Sequence, residues 1–425
     1  MPPNPKFIST WDTRNQSNGN GPTDQIILPL RSNGTYDFYV DWGDGTAEDH
    51  ITNYNSSDAA HTYSSPGIYT VTITGTLIGW AFYVNTSNSD NRLGNSRSDL
   101  QGWSTIAGYG SKLTSIHDWE ALKFTDDARD QFYSSYNLTG VPAEMFNVPL
   151  GGGIERAFSH ITGLGMNLTS NNVISGWDTS SVKDMRQLFS FMGYDTVSDV
   201  DFDVSNWDVS NVTGMQAMFK QCQDWNNGGS PGISGWDTSN VLTMREMFDS
   251  TSFNQDIGAW DVSNVTNMRG MFRVNSSASN HQGNFNNGGS SSISGWDTSS
   301  VVDLSQIFYN NHFFDQPIGS WDTSSVQNMD YAFFDKAYSY DLAGWVVTGV
   351  TSATSFLGRN AGAVSTHRGM PTSSYSATLI SWGAQSVQNG VNITFGNSTY
   401  SAGAAATARQ SLVNQGWTIS DGGQA

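Results

Sequence analysis

A motif that begins with Trp-Asp recurs along the chain, and it constrains the fold more than any other feature of the sequence. The copies read WDTSSVKDMRQLF, WDVSNVTGMQAMF, WDTSNVLTMREMF, WDVSNVTNMRGMF, WDTSSVVDLSQIF and WDTSSVQNMDYAF, and a further copy at Trp345 lacks the Asp. Successive copies begin 24 to 36 residues apart, a period typical of proteins in which one small unit stacks on the next. The repeated pairs are Trp177 and Asp178, Trp207 and Asp208, Trp236 and Asp237, Trp260 and Asp261, Trp296 and Asp297, and Trp321 and Asp322.

The hydrophobic spacing changes within one copy. Between Val265 and Phe272 the apolar residues follow the spacing of one helical face, which predicts a short α- or 3₁₀-helix capped by Ser263 or Asn264. The preceding segment, FNQDIGAW, is short enough for one strand and a turn. We therefore expect an α/β repeat solenoid of the leucine-rich-repeat type, with a parallel sheet, short helices and the Trp, Ile, Val, Met and Phe side chains inside.

Two glycine-rich spacers lengthen particular copies. They read WNNGGSPGISG from Trp225 and FNNGGSSSISG from Phe285. Insertions into a stack of repeats commonly leave it as loops on one face. We expect the segments between Phe219 and Trp236 and between Phe272 and Trp296 to face outward and to meet a partner.

The N-terminal segment follows a different pattern. YDFYVDWGDGT, from Tyr36 to Thr46, and HTYSSPGIYTVTITG, from His61 to Gly75, alternate apolar and polar residues around glycine-containing turns. Both segments resemble the β-sandwich of the polycystic-kidney-disease (PKD) type, in which the WGDG turn has a structural role. The resemblance implies a small all-β PKD- or Ig-like sandwich ahead of the repeats.

These patterns predict four regions. Residues 1–80 form the PKD-like sandwich, 81–165 a linker with degenerate first repeats, 166–357 the Trp-Asp repeats, and 358–425 a C-terminal cap. In the cap, YSATLISWGAQ and AGAAATARQSLVNQGW predict two short helices, the second ending at Gly416 before a strand.

Charge and cysteine content exclude several classes of function. The chain carries 38 acidic and 19 basic side chains, a formal charge of −19, which disfavours nucleic acid and anionic membrane surfaces as partners. No stretch is apolar enough to span a membrane. The single cysteine, Cys222, excludes an intrachain disulfide and a cysteine-based zinc site.

The repeat motif W-D-[TV]-S-[NS]-V-x-x-M-x-x-M-F, preceded by F-N-x-x-I, resembles the BspA-like leucine-rich-repeat surface proteins. That family occurs on bacterial surfaces and in bacteriophage structural proteins, so the resemblance implies adhesion or surface display without catalysis. The N-terminus has no basic and apolar export signal, so we expect a phage virion component, such as a tail appendage or capsid decoration. The alternatives are a bacterial cell-surface adhesin and, more remotely, a glycan-active enzyme. The expected partner is a protein assembly or a surface receptor or glycan, with self-association in a virion.

The repeated aspartates allow two interpretations. Each carboxylate can accept N–H bonds from the Ser-containing turn that follows, as an N-cap does, or the column can bind calcium, which prefers oxygen ligands. A denser acidic spot, with Asp199, Asp201 and Asp203, is a weak calcium candidate. No other cofactor is expected.

The repeated tryptophans also allow two interpretations, a buried core or a carbohydrate-binding column. Aromatic residues outside the motif are better ligand candidates: Trp80, Tyr83, Phe191, Tyr194 and Tyr309. The string GGSPG around Ser230 satisfies the G-x-S-x-G pattern of a catalytic serine, but it lies in a flexible spacer. We therefore expect no catalytic residues and no enzyme activity.

Overall fold

The computed structural model describes most of the chain as two compact units, Met1–Asn211 and Val212–Ala425. The described residues are 5–15, 22–82, 110–124, 129–145, 148, 152–161, 173–192, 200–222, 224–274, 283–358 and 369–425.

The first unit contains a mainly antiparallel β-sheet. Its strand order is β4-β3-β6-β1-β7, with the short β8 parallel to β6, and β2 and β5 form a separate antiparallel pair. Tyr36, Phe38 and Val40 alternate with exposed residues along β3, so one face of the sheet is buried. The strands are β1 (Lys6–Asp12), β2 (Gln25–Ile27), β3 (Leu30–Asp41), β4 (Asp49–Ile51), β5 (Ala60–Thr62), β6 (Ile68–Trp80), β7 (Leu113–Trp119) and β8 (Leu122–Lys123).

The WGDG turn after β3 is fixed by aromatic contacts. Trp42 is buried and donates its indole N–H to Asp49 Oδ2 at 2.9 Å. The His61 ring stacks on Trp42 with 4.9 Å between ring centroids, and the Tyr63 hydroxyl donates to the Trp42 carbonyl at 3.0 Å. Gly43 adopts φ +76°, a conformation that glycine reaches without a Cβ clash. The stacking of His61 on Trp42 makes this histidine a packing residue.

The second unit is built from turns. One parallel bridge joins each repeat to the next, through Gly214, Thr243, Asn267, Asp303, Asn328 and Ser352 in succession. The described part of the repeats holds no α-helix and no strand before β9 (Ala353–Leu357). Among the described residues, the 3₁₀-helices are Ser57–Ala59, Val173–Gly176, Asn227–Gly229, Pro231–Gly235, Asn287–Gly289 and Ser291–Gly295.

The predicted α/β solenoid with a parallel sheet and short helices is therefore wrong. In the motif around Gly270, alternate N–H groups go to different acceptors. The N–H groups of Met268, Gly270 and Phe272 bond to the following repeat at 2.9–3.0 Å, while those of Met271 and Arg273 bond to the carbonyl three residues earlier, at 3.1 Å, and close four-residue turns. In an α-helix each interior N–H bonds to the carbonyl four residues earlier. Here, half of the N–H groups bond to the following repeat instead.

Positive φ angles also show that the motif is not a helix. The motif carries a left-handed residue at two positions four residues apart, as at Glu246 (φ +55°) and Ser250 (φ +59°). Such residues interrupt a right-handed helix. Val265, Met268, Met271 and Phe272 are nevertheless buried, so the spacing located the core and misidentified the backbone. Ser263 and Asn264 cap nothing helical: they bond to Asp261 and to the Ser239 carbonyl.

The glycine-rich spacers are part of the core. Trp225 stacks on Phe219 and Phe285 stacks on Phe272, each pair with 3.6 Å between ring centroids. Both spacer aromatics are buried, as are Asn227 and Ile233 further along the first spacer, whereas Gly228 is exposed. The expectation that the whole spacers leave the stack as loops is wrong, because each spacer supplies the aromatic residue that Phe253 supplies in the shorter repeat.

The C-terminal segment contains the two predicted helices, α1 (Thr372–Gly383) and α2 (Ala404–Asn414). A three-stranded parallel sheet accompanies them, in the order β11 (Thr418–Ser420), β10 (Asn392–Phe395), β9. Gly416 has φ +99° just after α2, as expected for a residue that ends a helix.

Candidate recognition surface

Comparing the repeats position by position separates the core from a variable surface. Five turn segments of the second unit align: 215–221, 244–250, 268–274, 304–310 and 329–335. Their first, fourth and fifth residues are apolar and buried in every copy. Their second, third and sixth residues change from copy to copy, and we call these residues the turn face. They are Gln216, Ala217, Lys220, Arg245, Glu246, Asp249, Arg269, Gly270, Arg273, Ser305, Gln306, Tyr309, Asp330, Tyr331 and Phe334.

One part of the turn face is a network of ion pairs. Lys220 Nζ lies 2.5 Å from Glu246 Oε2 and 3.8 Å from Asp249 Oδ2, and Arg273 bonds to Asp249. Burial raises the pKa of Asp249, although the hydrogen bond from Arg273 opposes that shift. Burial also acts to raise the pKa of Glu246, but the hydrogen bond from Lys220 and the nearby cations outweigh it and lower that pKa. The network rigidifies the face because its carboxylates are paired.

Arg269 stands apart from this network. Its Nε is buried and has no hydrogen-bond partner, and within the described ranges its guanidinium makes no ion pair. The buried hydroxyl of Ser305, at the same position of the next repeat, also lacks a partner. Gln306 Oε1 accepts from Arg273 Nη1 at 2.9 Å, so the amide nitrogen of Gln306 is left as a further donor.

The remaining part of the turn face is aromatic. Tyr309 stacks on Phe334 with 4.8 Å between centroids, and Tyr331 meets both rings edge-on at 6.2 and 5.4 Å. All three side chains are half-buried. They form a firm platform with exposed edges, the kind of surface that recognition sites use.

The repeated aspartates are exposed and engaged in local turns. In each of the six, Oδ1 accepts the backbone N–H of the serine two residues on, at 2.9–3.1 Å. The hydrogen bonds from these serines lower the pKa of Asp178, Asp237 and Asp297. The carboxylates therefore stabilise the turn by the mechanism of an N-cap.

The acidic spot offers no evident metal centre. Among the residues that the structure describes, no group of three or more His, Cys, Asp or Glu is placed to hold a metal ion. Asp203 Oδ1 accepts the N–H of Ser205 at 2.8 Å, and Asp201 lies nearby in sequence. Asp199 falls outside the described residues.

The repeated tryptophans are buried, at most 5% exposed. The indole N–H of Trp260 donates to the Ile233 carbonyl of the preceding repeat at 2.8 Å, and Trp296 and Trp321 make the equivalent bond. Rings placed in this way are unavailable to a sugar. Among the other aromatic candidates, Trp80 is buried, Phe191 is half-buried on His160, and Tyr309 lies on the turn face. Tyr83 and Tyr194 lie outside the described residues.

The serine of the GGSPG string has a structural contact. Ser230 precedes the 3₁₀-helix Pro231–Gly235, and its Oγ accepts the N–H of Gly232 at 3.4 Å.

Within the described part of the chain, no helix is long and apolar enough to cross a membrane.

Sequence reasoning named Tyr309 but missed Arg269, Ser305 and Gln306. These residues lie inside the repeated motif, at positions where the copies vary. A signal was present: the third position of the turn segments differs in every copy and the second in most, while the first, fourth and fifth positions hardly change.

Comparison with known proteins gives one family. The family described as "Mycoplasma protein of unknown function, DUF285" matches residues 153–285 and 279–365, which together span half of the chain. No curated protein matches. No solved structure matches either.

Proposed function

The chain belongs to the DUF285 family of BspA-like repeat proteins, and from that premise we propose that it is a non-enzymatic surface protein that recognises a partner through its turn face. The variability of that face carries the proposal. Neighbouring positions of each repeat are held constant by core packing and by the aspartate turns, so the turn face is where the repeats are free to differ. Recognition residues concentrate on such positions in repeat proteins.

The chemistry of the turn face supports recognition. Paired charges, arginine and aromatic side chains occur together there, and arginine and tyrosine are enriched among residues that dominate binding energies. The aspartate turns, in contrast, expose mainly Asp and Ser side chains. Water hydrates these side chains well, so they gain little when a contact with a partner replaces it.

We further propose that the protein is displayed on a phage virion, as a tail appendage or capsid decoration. The second candidate is a bacterial cell-surface adhesin of the BspA-like kind. A net charge of −19 favours solubility in either setting. An antibody against the chain, with immunogold labelling of purified virions and of intact bacteria, distinguishes them: gold on virions supports the first, and gold on cells alone overturns it.

For the first unit we propose a PKD-like domain that docks to the larger assembly. The support is its antiparallel sheet and the WGDG turn held by Trp42, His61 and Tyr63. Deleting the turn-face side chains should therefore leave incorporation into the assembly intact.

Binding of the fluorescent full-length protein to host cells tests the recognition role. Arg245→Glu and Tyr331→Ala alter the turn face, and Thr266→Ala is a matched change on an exposed threonine outside it. We expect about tenfold weaker binding for the turn-face variants, the loss of roughly one hot-spot contact, and unchanged binding for the control. Equal binding by all correctly folded variants contradicts the proposal.

A further inference from the structure

We propose that the turn face binds an acidic glycan, and that Arg269, Ser305 and Gln306 hold its carboxylate or sulfate group. This inference rests on the proposed recognition function and names the class of ligand. It arises from a set of hydrogen-bond donors that the protein itself leaves without acceptors.

Two of these donors are buried. Arg269 Nε and Ser305 Oγ are both shielded from solvent and make no hydrogen bond. A buried donor without an acceptor lowers stability, and natural proteins rarely retain one without a reason. An anion supplies acceptor oxygens and forms charge-assisted bonds with a guanidinium, which are stronger than neutral ones.

The repeat register brings the donors together. The N–H of Gly270 bonds to the Ser305 carbonyl at 2.9 Å, so Arg269 and Ser305 occupy equivalent positions of neighbouring repeats. The core rings of the same two repeats, Phe272 and Phe308, are 5.7 Å apart. In the proposed site, an anion with two or three oxygens accepts from Arg269 of one repeat and from Ser305 of the next.

The local charge favours an anion although the whole chain is acidic. Across the turn face from Lys220 to Gln306, four cationic side chains face two carboxylates, those of Glu246 and Asp249. Two further carboxylates in these repeats bond to neutral donors: Asp303 Oδ1 accepts the N–H of Ser305 at 2.9 Å, and Asp330 Oδ1 accepts from Ser352 Oγ at 2.7 Å. Arg269 is thus a cationic side chain that no carboxylate of the described residues pairs with.

The aromatic platform selects a glycan over a bare anion. Tyr309 belongs to the same repeat as Ser305 and Gln306, and its contact with Phe334 fixes its ring. Sugar rings present C–H faces that pack on aromatic surfaces, while their acidic groups need a cation. A nucleic acid also offers anions and rings, so single-stranded DNA is included in the test as a competing ligand.

The test is titration calorimetry on the full-length protein with four probes. Dextran sulfate is compared with dextran, and oligogalacturonate with its methyl ester, so that each pair differs in the acidic group alone. We expect binding of a charged probe and at least about tenfold weaker binding of its neutral counterpart, the effect of one or two charge-assisted bonds. The better charged probe shows whether sulfate or carboxylate is preferred.

Variants then locate the site. Arg269→Gln should weaken binding of the charged probe about tenfold, and Ser305→Ala severalfold. Arg14→Gln, which removes the same charge from an exposed residue of the first unit, should bind normally. Circular dichroism melting confirms that each variant is folded.

Four results overturn the inference: neutral probes that bind as well as charged ones, an Arg14→Gln loss equal to that of Arg269→Gln, tighter binding of single-stranded DNA, or failure to bind any probe. If glycan binding fails while the turn-face variants still lose attachment to cells, the glycan is excluded and the recognition function stands.

Discussion

At the scale of single residues, Lys336 shows how burial sets a protonation state. Its side chain is 1% exposed, and its Nζ makes no hydrogen bond and lies 5.4 Å from the Phe314 ring centroid. Burial lowers the pKa of Lys336 to about 7, although Asp315 partly opposes that shift. The unfolded chain has an ordinary lysine, so between about pH 7 and 10.5 it binds more protons than the folded state.

We predict that this lysine makes stability rise with pH across that window. Lys336→Met removes the buried amine, so at pH 6 the variant should melt several degrees higher than the parent, and the difference should shrink towards pH 10. Thermal melting across this range measures it, with Lys123→Met as an exposed control. A constant difference at all pH values would contradict the prediction.

The repeated tryptophans provide a matched pair. Trp260 donates to the Ile233 carbonyl at 2.8 Å, whereas the buried Nε1 of Trp236 has no partner among the described residues. Both rings lose similar volume on replacement by Phe. The Ile233 carbonyl also accepts the backbone N–H of Trp236, so it stays paired when the indole of Trp260 is removed. We expect Trp260→Phe to destabilise by about 1 kcal/mol more than Trp236→Phe, because the former loses a hydrogen bond and the latter removes a buried donor that has no acceptor. Urea unfolding gives the difference, and equal losses would refute it.

At the scale of the element, the turn segment explains where sequence reasoning succeeded and failed. Apolar residues every three or four positions predict burial for a helix and for two consecutive turns alike, so Val265 to Phe272 located the core. The backbone was not predictable in this way, because the first left-handed position of the turn segments holds Ala217, Glu246, Gln306 and Tyr331 as well as Gly270. Of these five residues only the glycine signals a positive φ.

Gly270 distinguishes the two conformations experimentally. In a helix, Gly→Ala stabilises by about 1 kcal/mol. With φ +60° at Gly270, we expect Gly270→Ala to destabilise by about 1–2 kcal/mol. Gly295→Ala is the control, because its φ is not positive and nothing lies within 4 Å of an added Cβ. Denaturant unfolding of both variants decides the matter, and stabilisation at position 270 would favour a helix.

A second feature at this scale is a series of asparagine side chains that bond each repeat to the next. Asn254 Oδ1 accepts the N–H groups of Asn286 and Gly288 at 2.8 and 3.0 Å, and Asn226 and Asn286 play the same role in neighbouring repeats. The sequence shows these residues, but which atoms they satisfy depends on the register between repeats. Amides thus replace the hydrogen bonds of a strand.

Asn254→Leu should therefore be costly. It leaves two N–H groups without their acceptor, so we expect a loss of about 2 kcal/mol or more. Asn254→Asp keeps the acceptor, as Asp315 does in a later repeat, and should cost much less. Chemical denaturation compares the two, and similar losses would mean that the carbonyl oxygen is unimportant.

At the scale of the whole molecule, excess negative charge opposes compactness. A net charge of −19 is spread over exposed carboxylates that repel one another, and this repulsion is screened by salt. Raising NaCl from about 10 mM to about 150 mM shortens the Debye length from ~30 Å to ~8 Å. We expect the melting temperature to rise by a few degrees, and a fall would indicate that ion pairs dominate.

The sharing of alternate N–H groups between neighbouring repeats bears on how such a chain evolves. Each repeat donates backbone N–H groups to its successor from fixed positions. The array can therefore lengthen or shorten by whole copies and keep every one of these hydrogen bonds. Recombination between two Trp-Asp coding segments makes that change. Loss of a single codon within a turn segment instead shifts the register by one residue. Hydrogen-bond donors of neighbouring repeats then face one another, and a buried phenylalanine becomes exposed to solvent.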